Sequence, residues 1–64
     1  MNINEMKKKA QTGLFLNYGF KPGIAQIKPL ETDYSIYLRF EIGHVTYVLN
    51  DGIVKRLSYE EAHR

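Results

Sequence analysis

The stretch Tyr34-Ser35-Ile36-Tyr37-Leu38-Arg39-Phe40-Glu41-Ile42, followed by Gly43-His44 and then Val45-Thr46-Tyr47-Val48-Leu49, decides the fold. Tyr34, Ile36, Leu38, Phe40 and Ile42 alternate with Ser35, Tyr37, Arg39 and Glu41. Successive side chains of a strand point to opposite faces, so this period of two predicts a strand with one buried face. Gly43-His44 suits a two-residue turn with glycine at the first central position. That turn sets Ile42 opposite Val45, Phe40 opposite Tyr47 and Leu38 opposite Leu49, with all six on one face. Turn chemistry and burial pattern reach the same hairpin independently.

Downstream, Asn50-Asp51-Gly52 marks a second hairpin. A two-residue Asp-Gly loop would bury Val54 and Arg56. A three-residue loop with Gly52 left-handed would bury Ile53 and Leu57, with Lys55 extending its stem at an edge. The three-residue version buries the larger aliphatic residues and is the expectation. Ser58-Tyr59-Glu60-Glu61 then has the Ser-x-x-Glu form of a capping box, opening a helical turn or two.

Upstream, the segment from Asn2 to Thr12 reads as a helix. Asn2 or Asn4 can cap the first amides, and Glu5 stands at the positive end of the helix dipole. Ile3, Met6, Ala10 and Leu14 fall on one stripe, and Lys8, Lys9 and Thr12 lie outside it. Residues 13–20 admit two readings. The helix runs on to Tyr18 and stops at Gly19, or Gly13 breaks it and Leu14 to Phe20 forms a strand, with Pro22-Gly23 in a type II turn. Ile24 to Leu30 reads as a strand that Pro29 confines to an edge or a strand end.

The fold class is therefore α+β. An N-terminal helix accompanies an antiparallel meander of three to five strands, closed into a small barrel if all five form, and a short C-terminal helical turn follows. With 64 residues the chain is read as one domain, residues 1–64. It contains no cysteine, which favours a reducing compartment, and no apolar run long enough for a signal peptide or a membrane span. The expected location is the cytoplasm, with no membrane partner. A core of this size has neither disulfides nor an evident metal to support it. A homodimer is therefore expected, through pairing of the edge from Ile53 to Leu57 or packing of the Ile3/Met6/Leu14 stripe.

No residues point to catalysis. His44 lies in a turn, His63 stands near the C-terminal end of the sequence, and Asp33, Asp51 and Glu31 occupy loops that carboxylates commonly serve. No phosphate-binding glycine loop or metal motif occurs, so no enzyme activity, cofactor or metal site is expected. The net charge of +2 and pI near 9.0 permit a polyanion partner without requiring one. Candidate polyanion contacts are Lys7, Lys8, Lys9 and Lys28. The candidate partner-binding surface is the solvent face of the sheet, carried by Tyr37, Arg39, Val48 and Arg56, with Glu41, Thr46 and Val54 beside them. Tyr and Arg are favoured anchors of protein interfaces. The same side chains can stack on single-stranded bases, although Glu41 dilutes the field that phosphates need. Ordinary cross-strand pairing of Glu41 with Arg56 is the plain alternative. The leading expectation is a non-catalytic protein-interaction module (an adaptor, inhibitor or accessory subunit), ahead of a nucleic-acid-binding module.

Overall fold

The computed structural model describes residues 2–30 and 37–63. Helix α1 spans Ile3–Tyr18. It begins where the Asn2 side-chain oxygen accepts the Glu5 amide at 2.9 Å, satisfying one of the orphan donors of a helix start. It ends at Gly19, which takes a left-handed φ of 76° and donates its amide to the Phe15 carbonyl. Of the two readings of residues 13–20, the helix is the one realised. Gly23 keeps an extended φ of −68°, so no type II turn forms there.

The sheet has four antiparallel strands in meander order: β1 (Lys28–Pro29), β2 (Tyr37–Ile42), β3 (Val45–Asn50) and β4 (Ile53–Arg56). It stays open, so the five-stranded barrel is not formed. Only the end of the expected Ile24–Leu30 strand pairs. Ile24–Gln26 forms a 3-10 turn instead, and Pro29 sits at the edge of the sheet opposite Phe40. Helix α2 (Tyr59–Ala62) follows β4 through a complete capping box between Ser58 and Glu61.

The first hairpin has the register set by its turn: Ile42 faces Val45, Phe40 faces Tyr47 and Leu38 faces Leu49. Gly43 supplies the positive φ of 63° that the turn requires. Tyr34 and Ile36, the start of the alternating run, lie outside the described residues. Met6, Ala10 and Leu14 of α1 bury against Leu38, Phe40, Tyr47 and Leu49, with Ile27 closing the side of the core. The Phe40 and Tyr47 rings stack at 5.5 Å, placing a cross-strand aromatic pair within it.

The second hairpin overturns the three-residue expectation. Asn50 pairs with Ile53 and Leu49 with Val54, so the loop has two residues. Asp51 and Gly52 both take positive φ, 52° and 80°, as a type I′ turn demands. Every side chain of β4 therefore stands on the face opposite to that expected. Val54 is 3% exposed in the core, and Ile53 is 69% exposed on the far side.

The cause lies in α1. A Cβ built on Gly13 would stand 2.4 Å from Val54 Cγ2 and 3.1 Å from Val54 Cβ. Helix and strand thus approach more closely than any other residue at position 13 allows. A β-branched side chain has few ways to move aside. A valine seated over a glycine fits this gap, and burying the larger Ile53 would force the two elements apart.

Gly13→Ala tests this packing. Alanine is the better helix former by about 1 kcal/mol, yet the clash should outweigh it and lower stability by about 1–2 kcal/mol. In a Val54→Ala background the same substitution should raise stability, a coupling that denaturant melts of the four chains would measure. Stabilisation by Gly13→Ala in the otherwise unchanged chain would show that the close approach is absent.

Candidate functional site

Because α1 covers one face of the sheet, the functional question falls on the other. The register brings Tyr37, Arg39 and Glu41 of β2 to this outer face, beside Asn50, Val48 and Thr46 of β3. The β4 register adds Ile53 and Lys55, and Leu57 continues the row, its amide donating to the Thr46 carbonyl at 2.9 Å. Between these strands and Glu61 of α2 lies an open groove of about 530 Å³. Val48 and Leu57 form part of its apolar wall with Ile53, while Tyr37, Asn50 and Lys55 supply polar and aromatic edges.

Three of the four expected partner-binding residues, Tyr37, Arg39 and Val48, meet in this groove. Arg56 does not. The two-residue loop puts it opposite Tyr47 on the face shared with Val54, so the expected Glu41–Arg56 pairing is absent as well. Val54, placed beside these residues by the sequence reading, belongs to the core. Ile53, Lys55 and Leu57 take the vacated places. The Asp51-Gly52 pair is the signal that finds them, since it is the strongest short hairpin signature and fixes the face of every β4 side chain.

Helix α2 engages the cations of this face. The Arg39 guanidinium donates through Nη2 to the Ala62 carbonyl, and Lys55 Nζ lies 3.5 Å from Glu61 Oε2. Arg39 is accordingly half-buried and already bonded to the chain itself. Thr46 is buried although its strand position faces outward. It shares a depression with Tyr59, Ala62 and His63. The outer face thus has one end covered by α2 and an open end around Tyr37, Val48 and Ile53.

Glu61 is held below the ordinary glutamate range. The hydrogen bond it accepts from the Ser58 backbone amide is the largest cause, followed by the Ser58 side chain and the positive charge of Lys55.

Three of the four candidate polyanion contacts lie away from this face. Lys7, Lys8 and Lys9 ride on α1 across the core from the groove, with Lys8 and Lys9 exposed. Lys28 of β1 pairs with Glu41 and so shares the outer face, at the edge away from the groove. His44 and His63 border a separate depression of about 410 Å³ with Glu41 and Tyr59. The His63 ring stacks on Tyr59 at 4.1 Å, and its Nδ1 donates to the Tyr59 carbonyl. Among the described residues no group of three His, Cys, Asp or Glu residues could hold a metal ion, and no helix is long and apolar enough to cross a membrane.

No family model matches this chain, and neither the curated proteins nor the solved structures contain a significant relative.

The lowered Glu61 value makes the attachment of α2 pH-dependent. A carboxylate whose folded value is depressed contributes above its unfolded value and loses that contribution as pH falls through the folded one. Following the Ser58 amide by NMR from about pH 7 to about pH 2 should show α2 detaching at the acid end while core signals persist. Glu61→Gln keeps the reciprocal cap and should remove the acid step. An unchanged step in that variant would assign it to another group.

Proposed function

We propose that this chain is a small non-catalytic module of the cytoplasm that binds a partner protein through the outer face of its sheet. The observation that carries the reading is Ile53. A large aliphatic side chain stands 69% exposed on a strand, beside half-buried Val48 and Leu57. Tyr37 and Lys55 line the same open groove with it. Apolar contact at the centre with aromatic and cationic groups at the rim is the anatomy of a protein interface. The separation of the lysines of α1 from this face argues against its use on a nucleic-acid backbone, which needs cations along the contact.

Paired baits test the proposal. The unchanged chain and Ile53→Asp are compared in an extract of the native host, with equal thermal midpoints established first. The unchanged chain should retain a defined partner that Ile53→Asp and Tyr37→Ala lose by tenfold or more in affinity. Retention of the same partner by all three would remove the face from the account. Tight binding of a single-stranded oligonucleotide near physiological salt, falling steeply as salt rises, would replace the protein partner with nucleic acid.

A further inference from the structure

Strand β4 ends the sheet, and two side chains of α1 occupy its free edge. The Leu57 amide donates to the Thr46 carbonyl, so Thr46 and Leu57 form a hydrogen-bonded pair of the β3–β4 ladder. Bonded and non-bonded pairs alternate along an antiparallel ladder. Val48–Lys55 and Asn50–Ile53 are then bonded pairs, and the amides and carbonyls of Val54 and Arg56 point off the edge. Two of these groups are taken by α1. Asn17 Nδ2 donates to the Val54 carbonyl at 3.4 Å, and the Arg56 amide donates to the Tyr18 hydroxyl at 2.8 Å.

The opposite edge has a different protection. The Leu30 amide donates to the Arg39 carbonyl at 2.8 Å, making that pair a bonded one. By the same alternation Pro29, opposite Phe40, faces off the β1 edge with no N–H to offer. The β1 edge is thus closed by residue type. The β4 edge carries no proline and, among the described residues, is closed by the last turn of α1.

We propose that the β4 edge is a strand-accepting surface which Asn17 and Tyr18 hold shut, and that release of the last turn of α1 lets β4 pair with the β4 edge of a second copy. The last turn is the weak part of the helix. Although Gly19 caps it and the Tyr18 ring meets Tyr47 edge-on, it has no basic residue to complement the helix C-terminus and leaves Phe15 and Leu16 more than half exposed. A second copy is the occupant because the freed edge is self-complementary. Under a two-fold axis, Val54 of each chain can exchange both backbone hydrogen bonds with Arg56 of the other. That register sets Lys55 against its own mate, so screening by salt strengthens the pairing. The expected self-pairing of the Ile53–Leu57 edge therefore requires a change in α1 first.

Sedimentation from micromolar to near-millimolar concentration tests this, comparing the unchanged chain with N17A/Y18F. The unchanged chain should remain a species of 7.5 kDa. The double variant should reach twice that mass at the upper end, the more so at high salt. Adding Arg56→Pro to it removes the outward amide without touching the bonds to β3, and should restore the monomer. An N17A/Y18F chain that stays monomeric, or a dimer that survives Arg56→Pro, would overturn the proposal. Hydrogen exchange of the unchanged chain supplies a readout independent of how the variants fold. The Arg56 amide should be protected like that of Lys55, and should exchange at least tenfold faster in Tyr18→Phe. An unprotected Arg56 amide in the unchanged chain would equally overturn it.

Discussion

The close approach of α1 to β4 at Gly13 and Val54 is the contact on which the rest of this structure depends. A Cβ at position 13 would stand 2.4 Å from a valine methyl carbon. Helix and strand meet backbone to side chain, with no room for a Cβ at position 13. This seats the Met6, Ala10 and Leu14 stripe over Leu38 and Leu49. In so small a domain, each such buried side chain, at about 1.5–3 kcal/mol, is a large share of a net stability that is only about 5–15 kcal/mol in ordinary domains. The same contact brings the end of α1 within reach of the β4 edge, where Asn17 and Tyr18 meet the strand backbone.

With Val54 committed to the core, Ile53, Lys55 and Leu57 are fixed on the outer face by the period of two. An isoleucine in solvent is the consequence of a valine being required on the other side. Two cations of that face are engaged by α2, through the Ala62 carbonyl and the Glu61 carboxylate. A four-residue helix is unstable alone, and α2 buries none of its own side chains. Its capping box and these two contacts hold it in place. On the proposed reading, a partner seated on the groove would meet an apolar centre first and contend with α2 for Arg39 and Lys55.

Where local chemistry and burial pointed the same way, the fold was legible in the residues. The first hairpin followed from Gly43 and an unbroken alternation, and α2 from Ser58 and Glu61. In the second hairpin residue size and turn chemistry disagree: size favours burying Ile53 and Leu57, and the Asp51-Gly52 turn prevails. Residue size favoured the wrong face, since the room available was set by a helix some forty positions away in the chain. The same turn takes Arg56 out of the candidate site and brings Ile53 into it. Tyr37, Arg39 and Val48 were found because they belong to the hairpin whose register was secure. Residues 13–20 were ambiguous for a related reason. Gly13 reads as a helix breaker in isolation and is a packing residue in the folded chain, and Asn17 interrupts the apolar stripe because it faces a strand carbonyl.

The most direct test is the proton contact between Gly13 and Val54, measured by nuclear Overhauser effects in the unchanged chain. Strong cross-peaks from the Gly13 Hα protons to the Val54 methyl groups, with none to the Ile53 side chain, are predicted. Cross-peaks joining Ile53 to α1, with Val54 in solvent, would put the second hairpin in its three-residue form and invert the outer face on which the functional account rests.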